Sequence, residues 1–165
     1  MTNGFTTLLL LTLTLSCGKG FKKESSQTER QQENQQTDNY SINQEYITLL
    51  NNHRMGKGLS ALTYSAFIEE EAVKHSKAMA LRLRSFGHFG FSLRCQKIQG
   101  RLGPIKLCGE VVSMGHKTSK AVMNSWLESS FHRRELESED YTHTAIGVYS
   151  SPNGVNYWTQ IFVER

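Results

Sequence analysis

The sequence predicts an α+β domain, with helices packed on a small antiparallel sheet. Three observations carry this. Apolar residues recur near helical spacing between Asn43 and Arg84. Two C-terminal runs, Thr144-Ala145-Ile146-Gly147-Val148-Tyr149 and Val155 to Val163, are rich in β-branched and aromatic residues. Ser151-Pro152-Asn153-Gly154 between them is a hairpin turn signal.

The elements follow in order. The first helix is expected from Asn43 to His53, with Tyr46, Ile47, Leu49 and Leu50 on its apolar side and Gly56 and Gly58 ending it. Ser65 reads as the N-cap of a second helix continuing to about Arg84. Phe67, Ile68, Ala72, His75, Met79, Leu81 and Leu83 supply its period. Gly87, Gly90, Gly100, Gly103, Gly109 and Gly115 punctuate the next stretch, so mostly loop with short helical pieces is expected. A third helix starts near Thr118 or Ser119, carries Val122, Trp126 and Leu127, and ends near Arg134. The two strands close the chain. No internal repeat is visible.

The chain has 165 residues, a formal charge of +4 and a pI near 9.0. Its charges are scattered rather than gathered into a basic stripe with interleaved aromatics, so no nucleic-acid partner is expected. Lys74, Lys77, Arg82 and Arg84 make one side of the second helix basic, which reads first as a solvated face.

Residues 1–16 read as a signal peptide. Leu8 to Leu15 is apolar but too short to span a bilayer, and it ends at Thr14-Leu15-Ser16-Cys17. The cysteine after a small residue resembles a bacterial lipobox, which would make Cys17 the lipidated first residue of the mature chain. Met1 to Thr7 lacks Lys and Arg, and Thr14 stands where the lipobox prefers leucine. An ordinary secretory signal with an incidental Cys17 is the other reading. Residues 17–39 are almost wholly polar, with Phe21 the only large apolar side chain, and read as a disordered tether. The folded domain is placed at 40–165, long enough for its own core. Together these features imply an extracytoplasmic protein, lipid-anchored to the outer surface of a bacterial membrane, and a monomer.

Three cysteines suggest one pair and one with a separate fate. In an oxidising compartment a Cys95–Cys108 disulfide is expected. Two buried thiols, or a Cys nucleophile paired with His88, are the alternatives. His88, Glu110, His132 and His143 are the candidate functional side chains. Two neutral imidazoles and a carboxylate can hold a metal with a position left open. The chain has no His-Glu-x-x-His helix and no Gly-x-Ser-x-Gly elbow. His75 reads as a packing residue on a helix face.

Several motifs in series point further. Asn51-Asn52-His53-Arg54 precedes Gly58-Leu59-Ser60-Ala61-Leu62; Ala72, Ser76 and Met79 precede Gly87-His88. Gly109-Glu110-Val111, Trp126-x-x-Ser129-x-x-His132-Arg133, Ile146-Gly147-Val148 and Tyr157-Trp158-Thr159-Gln160-Ile161-Phe162 follow. Over roughly Glu45 to Val163 this series resembles bacterial domains of the CAP (cysteine-rich secretory protein, SCP-like) superfamily. The resemblance implies an α-β-α sandwich. In eukaryotic members two His and two Glu face one cleft, and the histidines can bind divalent metal. His88 and Glu110 match the first His and first Glu. Ser129 stands at the second Glu, and the second His is supplied by His132, following the bacterial pattern, or by His143. The resemblance therefore implies a weakly held divalent metal such as zinc on His88 and His132, and no complete catalytic set. The function expected is a non-enzymatic module binding a protein, glycan or lipid ligand. A metal-dependent hydrolase using His88, Glu110 and His132, and a sterol or fatty-acid carrier, are the alternatives.

Overall fold

The computed structural model describes residues 41–165. The segments read as a signal peptide and a tether, with Cys17, lie outside the described residues. Helix α1 covers 41–56, followed by β1 Thr63–Tyr64, α2 Ala66–Ala80, α3 Phe91–Leu102 and β2 Leu107–Met114. Then come α4 Ser119–Glu128, α5 Ser130–Leu136, β3 His143–Ser150 and β4 Asn156–Glu164. The sheet order is β1-β3-β4-β2. Its three long strands are antiparallel, and the two-residue β1 adds a parallel edge on β3.

Both sheet faces are covered, giving three layers. Tyr46 and Leu50 of α1, Val122, Met123 and Trp126 of α4, and Leu136 of α5 pack with Val111, Ile146, Val148, Trp158 and Phe162. On the other face Ile68 and Ala72 of α2 and Ile98 of α3 pack with Ala145, Ile161 and Val163. Alternate residues of β3 and β4 thus enter opposite cores, which is why these strands read as continuous apolar runs. Trp126 is 1% exposed, donates from Nε1 to the Val112 carbonyl at 3.3 Å, and meets the Tyr46 ring edge-on at 6.0 Å.

The polar motif residues have structural work. Asn51 bonds both the N–H and the carbonyl of Leu62, at 2.8 and 2.9 Å. Arg54, fully buried, donates from Nε to Ser60 O at 2.9 Å and from Nη1 to Leu136 O at 2.7 Å. The pair clamps the 58–62 segment against α1 and ties it to the end of α5. Asn43 plays the part of a missing strand: its side-chain amide donates to Ile146 O, and its Oδ1 accepts from Ile146 N at 2.8 Å, beyond the reach of the short β1. Ser76 donates within the α2–sheet interface, 2.9 Å from Gly147 O and 2.8 Å from Thr159 Oγ1. A Cβ on Gly147 would lie 2.2 Å from Val73 N, so only glycine lets α2 approach β3 this closely.

Several boundaries differ from the sequence reading. Helix α1 extends to residue 56. Helix α2 stops at Ala80, and Phe67, Leu81 and Leu83 are exposed rather than core. Ser65 occupies the N-cap position without a side-chain capping bond. The glycine-rich stretch contains a 12-residue helix and an 8-residue strand instead of mostly loop. The single third helix is two, broken where Ser129 adopts an extended backbone (φ −85°, ψ 117°).

Candidate functional site

His88 and Glu110 come together although 22 residues separate them. Strand β2 runs beside β4 with Glu110 opposite Ile161, which aims the carboxylate toward the α2/α3 layer. The Glu110 side chain is 1% exposed. Arg94 of α3 reaches it with two parallel bonds, Nε to Oε2 and Nη2 to Oε1, each 2.7 Å. His88 Nδ1 lies 2.9 Å from the same Oε1. A carboxylate can only accept here, so Nδ1 carries a proton, and in the neutral tautomer Nε2 keeps a lone pair. The His88 ring is 46% exposed, so that lone pair can meet a ligand.

The connection bearing His88 is pinned at two further points. Buried His75 donates from Nε2 to Gly87 O at 2.7 Å, and Arg94 Nη1 donates to Phe89 O at 2.8 Å. Burial lowers the His75 pKa; the Gly87 carbonyl opposes this and the Arg94 charge adds to it. A neutral imidazole with a donating Nε2 is the form that fits. His132, on α5, is half-buried. Its pKa is lowered by burial and then by the charge of His88, with Glu135 opposing.

His143 stands elsewhere. It opens β3 opposite Val163, with Nδ1 2.8 Å from Thr142 Oγ1. Burial and then Arg165 lower its pKa, and its contacts include none of His88, Glu110 and His132. Ser129 supplies no acid; its role is the turn between α4 and α5. Cys95 and Cys108 form a disulfide joining α3 to β2, so neither is a nucleophile. Beneath the site, Tyr141 donates to Glu135 Oε2 at 2.7 Å, and burial pushes its phenol well above the usual range. A Cβ on Gly109 would lie 2.1 Å from the Tyr141 hydroxyl, which accounts for the glycine before Glu110.

Arg94 is the site residue that sequence reasoning missed. The sequence carries no signal for it: Arg94 and Ile98, one turn apart, are the two buried positions of α3, too few to mark an apolar stripe. As for a metal, the residues fit in part. His88 Nε2 and the His132 ring are available donors, while Glu110 serves as the carboxylate that orients His88 rather than as a ligand. Among the described residues no group of three or more His, Cys, Asp or Glu side chains gathers to hold a metal.

The sequence model of the cysteine-rich secretory protein (CAP) family matches residues 47–162. The chain belongs to this family. The matched span runs from α1 to β4 and includes every residue of the site. Among curated relatives, the membrane protein YlbC of Bacillus subtilis is 30% identical over 123 residues, covering 72% of this chain and 33% of that protein. The protein YkwD of the same organism is 26% identical over 126 residues, covering 72% and 46%. The chain therefore spans between a third and a half of these relatives. An extracellular SCP-domain protein from Bacillus anthracis superposes with a TM-score of 0.68 at 26% identity, over 79% of this chain and 43% of that one. An outer surface protein from Borrelia burgdorferi shares the CAP fold at a TM-score of 0.61 and 22% identity, over 72% and 89%.

Proposed function

We propose that this CAP protein is a membrane-anchored extracytoplasmic binding module whose cleft holds a divalent metal weakly, on His88 and His132, and performs no hydrolysis. One observation carries the non-enzymatic part: both Glu110 oxygens are engaged by Arg94, and one also by His88. A general acid or base must exchange a proton with substrate, and a carboxylate clamped on both oxygens is not free to do so. Ser129 supplies no second acid. Sterol or fatty-acid carriage asks for an apolar groove. One groove among the described residues, between α2 and α3 and of about 350 Å³, does not offer that: it is lined by Phe67, Gly100 and five charged residues including Glu71, Lys97 and Arg101.

Calorimetry with Zn²⁺ tests the cleft. The wild type should bind modestly, with affinity falling below about pH 6.5 as imidazole protonates. His88→Ala with His132→Ala should abolish binding. Equal binding by both proteins would put the ion elsewhere, and no binding by either would leave a metal-free interaction module. A hydrolytic activity lost in Glu110→Gln would overturn the non-enzymatic reading.

The anchor rests on Thr14-Leu15-Ser16-Cys17. It is supported by relatives described as an extracellular protein and a membrane protein. Metabolic labelling with palmitate should mark the wild type and not Cys17→Ala. Labelling of both would defeat the anchor and leave the folded module as described.

A further inference from the structure

Residues 72–109 contain no Asp or Glu and eight Lys or Arg, whereas the other 11 basic residues are set against all 15 acidic ones. The positive charge of the chain is thus concentrated from residue 72 of α2 onward, through the connection 81–90 and α3 to the entry of β2. Some of these cations are neutralised. Lys74 pairs with Glu70 and Glu71, Arg94 with Glu110, and Lys106 with Glu164. Among the described residues no carboxylate pairs with Arg82 or Arg84, both in the connection 81–90.

The same connection exposes large apolar side chains: Leu83 at 67%, Phe86 at 48% and Phe89 at 61%. The Arg84 guanidinium lies over the Phe89 ring, 4.7 Å from its centroid. These side chains sit on a fixed backbone. Arg82 takes the left-handed conformation (φ 56°), and the N–H groups of Leu83 and Arg84 both bond Ala78 O, at 2.9 and 3.1 Å. His75 and Arg94 hold the far end through Gly87 O and Phe89 O. The ordering cost of presenting these groups is therefore already met in the free protein.

We infer that the connection 81–90 docks the domain on an anionic lipid bilayer. Leu83, Phe86 and Phe89 enter the interfacial region, and Arg82 and Arg84 meet headgroup phosphates. Charge complementarity selects this partner. Juxtamembrane arginines gain from the negative surface potential, and the planar guanidinium matches phosphate oxygens. Apolar side chains beside them gain from leaving water, a combination characteristic of interfacial binding. The acid-rich remainder of the chain is repelled from the same surface, so the charge asymmetry sets the orientation. Docking this way brings the exposed edge of His88 to the membrane side. The inference goes beyond the metal cleft and needs no acyl group on Cys17.

The test uses the full chain carrying Cys17→Ala, so that no lipid anchor contributes, and vesicles of phosphatidylcholine with or without phosphatidylglycerol. Sedimentation should show binding that prefers phosphatidylglycerol and weakens with salt. Arg82→Ala with Arg84→Ala should weaken it by about tenfold or more. Leu83→Ser with Phe89→Ser should weaken it as well. All four side chains are exposed, and unchanged melting temperatures would confirm that folding is intact. Both native tryptophans are 1% exposed, so Phe89→Trp reports on the connection directly. Its emission should shift to the blue on phosphatidylglycerol vesicles. Variants that bind as well as their parent would overturn the inference. So would an unshifted Phe89→Trp spectrum, or binding to heparin without binding to vesicles, which would assign the arginines to an anionic glycan.

Discussion

Arg94 and Glu110 face each other through two parallel hydrogen bonds of 2.7 Å, at a point where the carboxylate side chain is 1% exposed. Removing one member of such a pair strands the other charge without water, while replacing both with apolar groups is often tolerated. Arg94→Met should therefore destabilise the domain by about 3–5 kcal/mol at neutral pH. Arg94→Met with Glu110→Leu should recover most of that loss. Urea midpoints of the single and double variants form the cycle that measures it. A double variant as unstable as the single would show that Arg94 acts through packing and its Phe89 carbonyl bond instead.

The disulfide belongs to the same arrangement. Cys95 follows Arg94 directly, and Cys108 stands two residues before Glu110, so the bridge fixes α3 and β2 where the ion pair must close. With 13 residues of sequence separation, closing the loop should contribute about 3 kcal/mol by the chain-entropy model. Reduction should lower the melting temperature, and Cys95→Ala with Cys108→Ala should reproduce the fall. Thiol mass spectrometry should find no free thiol at either position in the native protein. An unchanged melting temperature after verified reduction would show that the bridge adds no stability.

How far the sequence could be read follows from what each element buries. Helix α2 was legible because Ile68, Ala72, His75 and Met79 do face the core at helical spacing. Strands β3 and β4 were legible because both their faces are covered and a Pro-Asn-Gly turn joins them. Helix α3 was not. It buries only Arg94 and Ile98, so no apolar stripe marks it, and its N-cap is a left-handed Gly90. Strand β2 was hidden by Gly109 and Glu110 in its middle, and its partner β4 lies at the far end of the chain. At the site, His88 and Glu110 came from family pattern rather than spacing. Arg94 did not, because no local rule tells which buried cation will answer a carboxylate 16 residues away.

Two glycines in the motifs have different physical reasons, which mutation should separate. A Cβ at Gly147 meets the α2 backbone, with Val73 N at 2.2 Å and the Ala72 carbonyl carbon at 2.5 Å. A helix cannot move aside without opening its core, so Gly147→Ala should cost about 3 kcal/mol or more. A Cβ at Gly109 meets side-chain atoms, the Tyr141 hydroxyl and Glu135 Oε2. Those can swing away, so Gly109→Ala should cost less and should lose the Tyr141–Glu135 bond. Denaturation midpoints rank the two. The reverse order would mean that α2 is more loosely seated on β3 than its contacts indicate.

The final prediction concerns pH. His75 is buried in α2 with its Nε2–H on Gly87 O, and burial lowers its pKa in the folded protein. The groups around it include Arg94 from α3, which lowers the pKa further, Glu110 from β2, which raises it, and His88 from the connection, which lowers it. A base whose folded pKa is depressed binds fewer protons when native than when unfolded. Its contribution to stability is then whole above the unfolded value of about 6.5 and is lost as pH falls through the folded value. His132 and His143 are shifted in the same direction and add to the slope. Glu69, raised by burial, opposes it, but in the carboxylate range lower down. The urea midpoint should therefore fall as pH is lowered from about 7.5 to 5. His75→Gln keeps a donor for Gly87 O but cannot titrate, so its profile should be flatter than that of the wild type in this window. Parallel profiles for the two proteins would show that His75 contributes no proton linkage and that His132 and His143 carry the slope.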